Sequence, residues 1–245
     1  MAPQAITYLE QIARNYLKAQ PFMAHYLFFD LDGTLSDTHD LSRATWFEIL
    51  RPHGIDVDYD FYHERLHGRD TPDVLAELLP EMDEAARQDL HAHQAARYRD
   101  RTRRAAPLPG VTPFLDAARD KSFKLALVTN APKADALESL IPLGLDTAFE
   151  PRVFKDDVSK IKPDAEPYTL ALSRAGIQAH DAIAFEDSPR GVQAACAAGL
   201  AAVALVTTHH PQALRDAGAS LVIGDFSDPI LDELLDDPTA VIARA

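Results

Sequence analysis

Asp30 and Asp32 stand two residues apart in the string Phe29-Asp30-Leu31-Asp32-Gly33-Thr34-Leu35, directly behind the apolar run Tyr26-Leu27-Phe28. Such a run predicts a buried strand. Carboxylates at its end are costly unless their charge is used, by pairing or by a metal. Gly33 allows a sharp turn where the strand stops. Side chains alternate along a strand, yet this turn can bring both acids toward one cavity. The chemistry that suits the pair is one carboxylate attacking while the other moves a proton, beside a cation.

Three more strings follow. Lys124-Leu125-Ala126-Leu127-Val128-Thr129-Asn130 reads as a second apolar strand ending in a hydroxyl and an amide. Thr129 and Asn130 can bind phosphate oxygens without adding charge, and Thr-Asn after a strand is also ordinary turn chemistry. Ile161-Lys162-Pro163-Asp164 places a cation directly before a proline, with Lys160 as a rival by composition. Ile183-Ala184-Phe185-Glu186-Asp187-Ser188-Pro189-Arg190-Gly191 is a third strand ending in adjacent acids, followed by an Ala-rich helix that Ser188 could cap. Hard oxygen ligands of this kind suit Mg²⁺.

Together and in this order, the four strings resemble the four motifs of the haloacid dehalogenase-like superfamily, in its aspartyl-phosphate branch of phosphoglycolate phosphatase and β-phosphoglucomutase-like members. The resemblance covers about residues 24–230. It implies that Asp30 attacks phosphorus, while Asp32 protonates the leaving alcohol and then takes a proton from the hydrolytic water. Gly33, Thr129 and Asn130 would hold the phosphate. Lys162 would offset the repulsion between phosphate and nucleophile. Mg²⁺ would bridge Asp30, the backbone carbonyl of Asp32 and Asp187, with Glu186 bound directly or through water. The string departs from the pattern at Ile161, where glycine is usual, and in having its second proline at 167 rather than 165.

Asp32 separates the chain from the superfamily's dehalogenases and phosphonatases, which lack an acid there. The phosphoglucomutase branch carries a histidine four residues after an Asp-Thr pair. From Asp37-Thr38 that position is Ser42, and His39 is out of register. The expectation is a Mg²⁺-dependent phosphatase of small phosphorylated metabolites, sugar or organic-acid phosphates. The alternatives are a sugar phosphomutase and a non-catalytic regulatory protein of the same fold.

The elements that must position these residues alternate. Strands are expected around 26–30, 124–129, 152–155, 182–186, 201–206 and 221–223, with helices such as Ala134 to Leu143 and Pro167 to Ala175 between them. That pattern predicts an α/β fold with a doubly wound, Rossmann-like parallel sheet. All four strings end at strand C-termini, where such sheets bind ligands. Residues 38–106 break the alternation and read as helical: Leu41 to Leu50, Phe61 to Leu66, Pro72 to Leu78 and Glu84 to Thr102. By resemblance they form an all-helical cap on linkers Ser36 to Asp40 and Arg104 to Gly110, inserted into a core of residues 24–37 and 107–245. In the cap, Leu66-His67-Gly68-Arg69-Asp70-Thr71 resembles the loop that faces the site. Arg69 could hold a second anionic group or sugar hydroxyls, or pair with a helix acid on the surface.

Residues 1–23 suggest an appended helix on the apolar face Ile6, Leu9, Ile12, Ala13, Tyr16 and Leu17, with Met23 as an alternative start. Asp232 to Ala245 reads as a surface helix with an acidic end. A net charge of −14 argues against nucleic acid or an anionic membrane as a bulk partner. No apolar run approaches the ~20 residues of a membrane helix, and no signal peptide is evident. The single cysteine, Cys196, reads as a small helix residue and fits a reducing, cytoplasmic setting. A monomer or homodimer is expected. His91, His93, His209 and His210 lack an acid at ligand spacing and read as solvated.

Overall fold

The computed structural model describes residues 25–244, so the expectations for residues 1–23 lie outside the described residues. Six strands form one sheet: β1 (Tyr26–Phe29), β2 (Lys124–Val128), β3 (Arg152–Val153), β4 (Ala182–Glu186), β5 (Ala201–Leu205) and β6 (Leu221–Ile223). Their order is β3-β2-β1-β4-β5-β6, and every pairing is parallel. This is the doubly wound order, with its reversal at β1. Phe29 of β1 stands level with Leu127 of β2 and Phe185 of β4, so the residues that follow all three strands emerge together.

Alternation along β1 divides the core. Leu27 and Phe29 face one side, where Phe29, Phe114, Phe185 and Phe226 pack with Leu231, Leu234, Leu235 and Val241. Tyr26 and Phe28 face the other, among small residues such as Ala126, Ala184, Ala194, Ala195 and Ala204. Small side chains there let helices 166–175 and 189–197 lie close to the sheet. The C-terminal residues are therefore more than a surface helix. Ile230–Asp236 and Pro238–Arg244 form two helices whose apolar residues complete the first face.

Helical chain fills the interval between β1 and β2. It comprises α1 (His39–Leu50) with a 3-10 turn Arg51–His53, a helical turn Tyr59–Phe61 running into a π-turn Tyr62–Leu66, α2 (Thr71–Leu78) and α3 (Glu84–Thr102), which form the insertion, and then helix Val111–Asp120 packed on the core. Trp46, Leu50, Val57, Tyr62, Leu66, Val74 and Leu75 give this insertion a buried cluster of its own. The two segments that carry it are paired. Asp37 N donates to Ala106 O at 3.0 Å, and Leu108 N donates to Leu35 O at 3.1 Å.

Two elements are shorter than expected. β3 stops at Val153 because the Phe154 N–H turns to the Asp157 carboxylate at 2.9 Å and opens a 3-10 turn. The helix expected over 134–143 spans Lys133–Leu140, since Pro142 lacks the N–H that would extend it.

Candidate active site

The ends of β1, β2 and β4 and the loop before helix 166–175 deliver a compact charge cluster. Lys162 Nζ lies 2.7 Å from Asp30 Oδ1, 2.6 Å from Glu186 Oε1 and 2.6 Å from the Val128 carbonyl oxygen. Its ammonium thus uses all three donors. Burial disfavours the ammonium, but Asp30 and Glu186 outweigh it and hold the Lys162 pKa above the ordinary lysine range. Glu186 Oε1 also accepts from Tyr168 Oη at 2.6 Å, and Asp187 Oδ2 accepts from Thr208 Oγ1 at 2.6 Å.

Asp30, Glu186 and Asp187 each offer a carboxylate oxygen within 4.8 Å of the others, and all three are buried. Burial pushes the Glu186 carboxyl up despite the opposing pull of Lys162. Burial first, then Asp30 and Glu186, push Asp187 well up. Three carboxylates against one ammonium leave uncompensated negative charge in a buried place, which a divalent cation with oxygen ligands would neutralise. The donor set fits Mg²⁺. Asp32 contributes no carboxylate to this group.

Two glycines make the cluster possible. At Gly33, φ is +79°, and a Cβ would come within 2.3 Å of Asp187 Oδ2. At Gly191, a Cβ would stand 1.8 Å from Glu186 Oε2, while Ser188 Oγ caps the same helix by accepting from Gly191 N at 3.1 Å.

Asp32 turns toward the insertion. Its Oδ1 accepts from Tyr98 Oη of α3 at 2.5 Å and from Thr38 Oγ1 at 2.9 Å. Its carboxyl sits above the ordinary range. Loss of solvent is the main cause and Asp30 adds to it, while the Tyr98 and Thr38 hydrogen bonds oppose it. Thr129 is buried beside the cavity, its Oγ1 accepting from Ala131 N at 3.1 Å. Asn130 is committed to the loop: Oδ1 accepts from Lys162 N at 3.1 Å, and Nδ2 donates to Lys162 O at 3.4 Å. Lys160 is excluded as the cluster's cation, because its ammonium pairs with Asp164 on the surface.

One cavity joins the cluster to the insertion and is lined by Asp30, Asp32, Gly33, Thr129, Asn130, Lys162, Glu186 and Asp187. Its other wall includes Ser42, Trp46, Tyr62, His67, Arg69, His91, Gln94 and Tyr98 of the insertion, with Arg190 of the core at its edge. Arg69 faces two ways. It lines the cavity, and its guanidinium donates to Glu77 Oε2 at 2.6 Å. Ser42 lies where the mutase pattern has histidine, and it lines the cavity with Tyr62.

The haloacid dehalogenase-like hydrolase family model matches residues 27–205. The chain belongs to the haloacid dehalogenase-like hydrolases. Among its relatives in this family, the validoxylamine A 7′-phosphate phosphatase of Streptomyces hygroscopicus subsp. limoneus is 33% identical over 194 residues, 79% of this chain and 91% of that one. The fructose-1-phosphate phosphatase YqaB of Escherichia coli is 34% identical over 181 residues, 72% of this chain and 94% of its own. A solved structure of a putative β-phosphoglucomutase from Thermotoga maritima superposes with a TM-score of 0.69 at 30% identity, covering 86% of this chain and 99% of that one.

Several residues of this hydrolase's cavity carried no sequence signal. Tyr98 lies 66 residues from the acid it touches, inside a polar helix with little periodic pattern. Arg190 sits within the fourth string, where sequence alone does not separate it from a surface arginine. It lines the cavity, and its Nε is buried without a partner. His91 lines the cavity half-buried, and half-buried His209 lies against the Asp187 carbonyl, so neither is the solvated residue expected; His93 and His210 are exposed.

Proposed function

We propose that this hydrolase is a Mg²⁺-dependent phosphatase of phosphorylated sugars or similarly small metabolites, working through an aspartyl-phosphate on Asp30. The observation that carries the reading is the buried Asp30–Lys162–Glu186–Asp187 cluster at the sheet's switch point, with Asp32 turned separately toward the cavity. Asp30, the Asp32 carbonyl, Asp187 and Glu186 would hold Mg²⁺, which supplies charge neutralisation and alignment of the phosphate when bound.

Lys162 fixes the Asp30 carboxylate in place, and the carboxylate attacks phosphorus as the leaving alcohol departs. Asp32, with its raised pKa, is suited to deliver the proton that the alkoxide needs. The same carboxylate, then ionised, takes the proton of the water that cleaves the aspartyl-phosphate. Thr129 supplies a hydroxyl to the phosphate. Asn130 acts first by locking the Lys162 loop, and Gly33 lets the backbone pass close to the acids.

The helical insertion, residues 38–106, serves as the cap. Its Trp46, Gln94 and His91 offer the mixed apolar and hydrogen-bonding wall that a sugar needs, and Arg69 lines the cavity beside Arg190 of the core. The named activities of the Streptomyces and Escherichia relatives, both phosphatases of small phosphorylated compounds, support this class of substrate. The lone Cys196 fits a cytoplasmic enzyme.

A phosphomutase is the second reading, favoured by the likeness to the Thermotoga structure. Ser42, a serine lining the cavity where the mutase pattern has histidine, weighs against it. The deciding experiment is a panel of phosphate esters with and without Mg²⁺, including β-glucose 1-phosphate with a trace of its 1,6-bisphosphate. Free phosphate should appear in step with substrate loss. Rapid isomerisation to glucose 6-phosphate with little phosphate release would overturn the phosphatase reading.

A further inference from the structure

A second group of metal-binding side chains lies beside the acid cluster. His63 and His67, from the insertion, and His209, from the loop after β5, each offer a ring nitrogen within 4.8 Å of the others. Their ring centroids are 5.8 Å apart for His63–His67, 5.1 Å for His63–His209 and 5.0 Å for His67–His209. The π-turn explains the first pair. His67 N donates to Tyr62 O at 2.9 Å, an i→i+5 bond whose wider turn keeps both imidazoles toward the core.

Most of the ring nitrogens are short of partners, His67 Nε2 having only the Asp187 carboxylate at 3.9 Å. His63 Nδ1 and His67 Nδ1 are buried with no hydrogen bond. His63 Nε2 meets only another imidazole, His39 Nε2 at 2.9 Å. Unpaired buried nitrogens are costly, and native cores seldom keep them without a use. His209 is oriented the way ligating histidines usually are. Its Nδ1 lies 3.3 Å from the Asp187 carbonyl oxygen and 2.8 Å from Thr208 Oγ1, which leaves Nε2 available as the ligand atom.

We propose that His63, His67 and His209 form a second metal site, for a borderline cation such as Zn²⁺ or Co²⁺, that ties the helical insertion to the core. Three neutral imidazoles suit such ions and discriminate against Mg²⁺, which prefers oxygen. A tetrahedral ion with bonds of ~2.0–2.1 Å needs nitrogens about 3.3 Å apart. The rings would therefore draw together by roughly 1.5 Å at most. Two ligands belong to the insertion and one to the core, so occupancy would hold the cavity closed. In enzymes of this kind, closing and opening of a lid gates substrate entry and product release.

The test needs no turnover, so its failure is distinct from failure of the phosphatase reading. Protein saturated with Mg²⁺ is titrated with Co²⁺, and the visible spectrum is recorded. One equivalent should bind with the intense bands of four-coordinate cobalt. His63→Gln and His209→Gln, with folding checked by circular dichroism, should each weaken binding by about 100-fold, whereas Asp30→Asn should leave the bands in place. Hydrogen exchange at Asp37 and Leu108, the amides that pair the two connecting segments, should slow in wild-type protein when Zn²⁺ is added over Mg²⁺. Absence of the bands, or bands unchanged by both histidine variants, would overturn the site. Binding without slower exchange would overturn the tie between insertion and core.

Discussion

The two walls of the cavity are built on different physical terms. On the core wall, Lys162 is 3% exposed and spends its donors on Asp30, Glu186 and Val128 O, while Glu186 and Asp187 take further bonds from Tyr168 and Thr208. On the insertion wall, Arg69 pairs with the exposed Glu77, and the histidines lean on one another. Buried ion pairs have one good geometry, because an unpaired charge there is expensive. Exposed pairs are weak and can exchange for a ligand at little loss. The core wall is therefore suited to holding reacting atoms in place, and the insertion wall to accommodating the part of the substrate that varies.

This contrast is tested most severely at the nucleophile. Asp30→Asn keeps the size of the side chain and one acceptor for Lys162, but an amide does not attack phosphorus. Turnover should fall by roughly 10³-fold or more, the scale of losing a covalent nucleophile, with a near-native circular dichroism spectrum. Substantial phosphate release from folded Asp30→Asn protein would remove the basis of the mechanism. Chelation should silence the wild-type enzyme just as completely and Mg²⁺ should restore it. Full activity in metal-free buffer would show that the acid cluster serves some other end.

Lys162→Met separates structure from chemistry on the same wall. Removing the ammonium leaves Asp30 and Glu186 facing each other unpaired. Stability should drop by about 3–5 kcal/mol, the usual result of breaking a buried pair, and activity should disappear. Thermal denaturation in metal-free buffer checks the first part. An unchanged midpoint would mean that the carboxylates simply take up protons and the lysine contributes little to the fold.

How much of this was legible beforehand follows the same division. Asp30, Asp32, Thr129, Glu186 and Asp187 were readable because each sits in or beside a strand-terminal string, and strands of a parallel sheet bring such ends together; Lys162, expected at a strand end, instead reaches the cluster from the loop before helix 166–175. The alternation of strands and helices likewise gave the sheet and the place of the insertion. What could not be read depends on tertiary contact between distant segments. Tyr98 meets Asp32 only because α3 crosses the cavity, and His63 meets His209 only because a π-turn aims one ring at a loop 146 residues further on. Arg190 differs from a surface arginine only by the depth at which its helix begins. Leu231, Leu234 and Leu235 stand at helical spacing, but the acids interleaved with them, Asp232, Glu233 and Asp236, give the segment an equally plain polar side.

Tyr98 is where the two walls touch, so Tyr98→Phe should have an intermediate effect. The phenol donates to Asp32 and stabilises its ionised form. Without it, the Asp32 pKa should rise further. Asp32 must be protonated to serve as the acid, so activity is lost as pH rises through that pKa. The alkaline limb of kcat/KM should therefore move to higher pH, by roughly one unit, given what a hydrogen bond to a charged group is worth. A pH–rate profile superimposable on that of the wild type would show that Tyr98 only packs there.

Arg69→Ala should have the smallest effect on the reaction itself and still sharpen the contrast most. Arg69 touches none of the acids. It holds Glu77 and the Arg65 carbonyl and looks into the cavity beside Arg190. Its pair with Glu77 is open to solvent, so the variant should melt close to the wild type. If the guanidinium grips sugar hydroxyls or a second anionic group, KM for sugar phosphates should rise by about 10-fold, the scale of one lost hydrogen bond to a charged group. A featureless aryl phosphate, which presents only its phosphate to the core wall, should be hydrolysed at an unchanged rate. Equal losses on both substrates would place Arg69 within the reacting machinery, and no loss on either would reduce it to a surface ion pair. Only the uneven result fits a rigid wall that performs the chemistry opposite an adaptable one that selects the substrate.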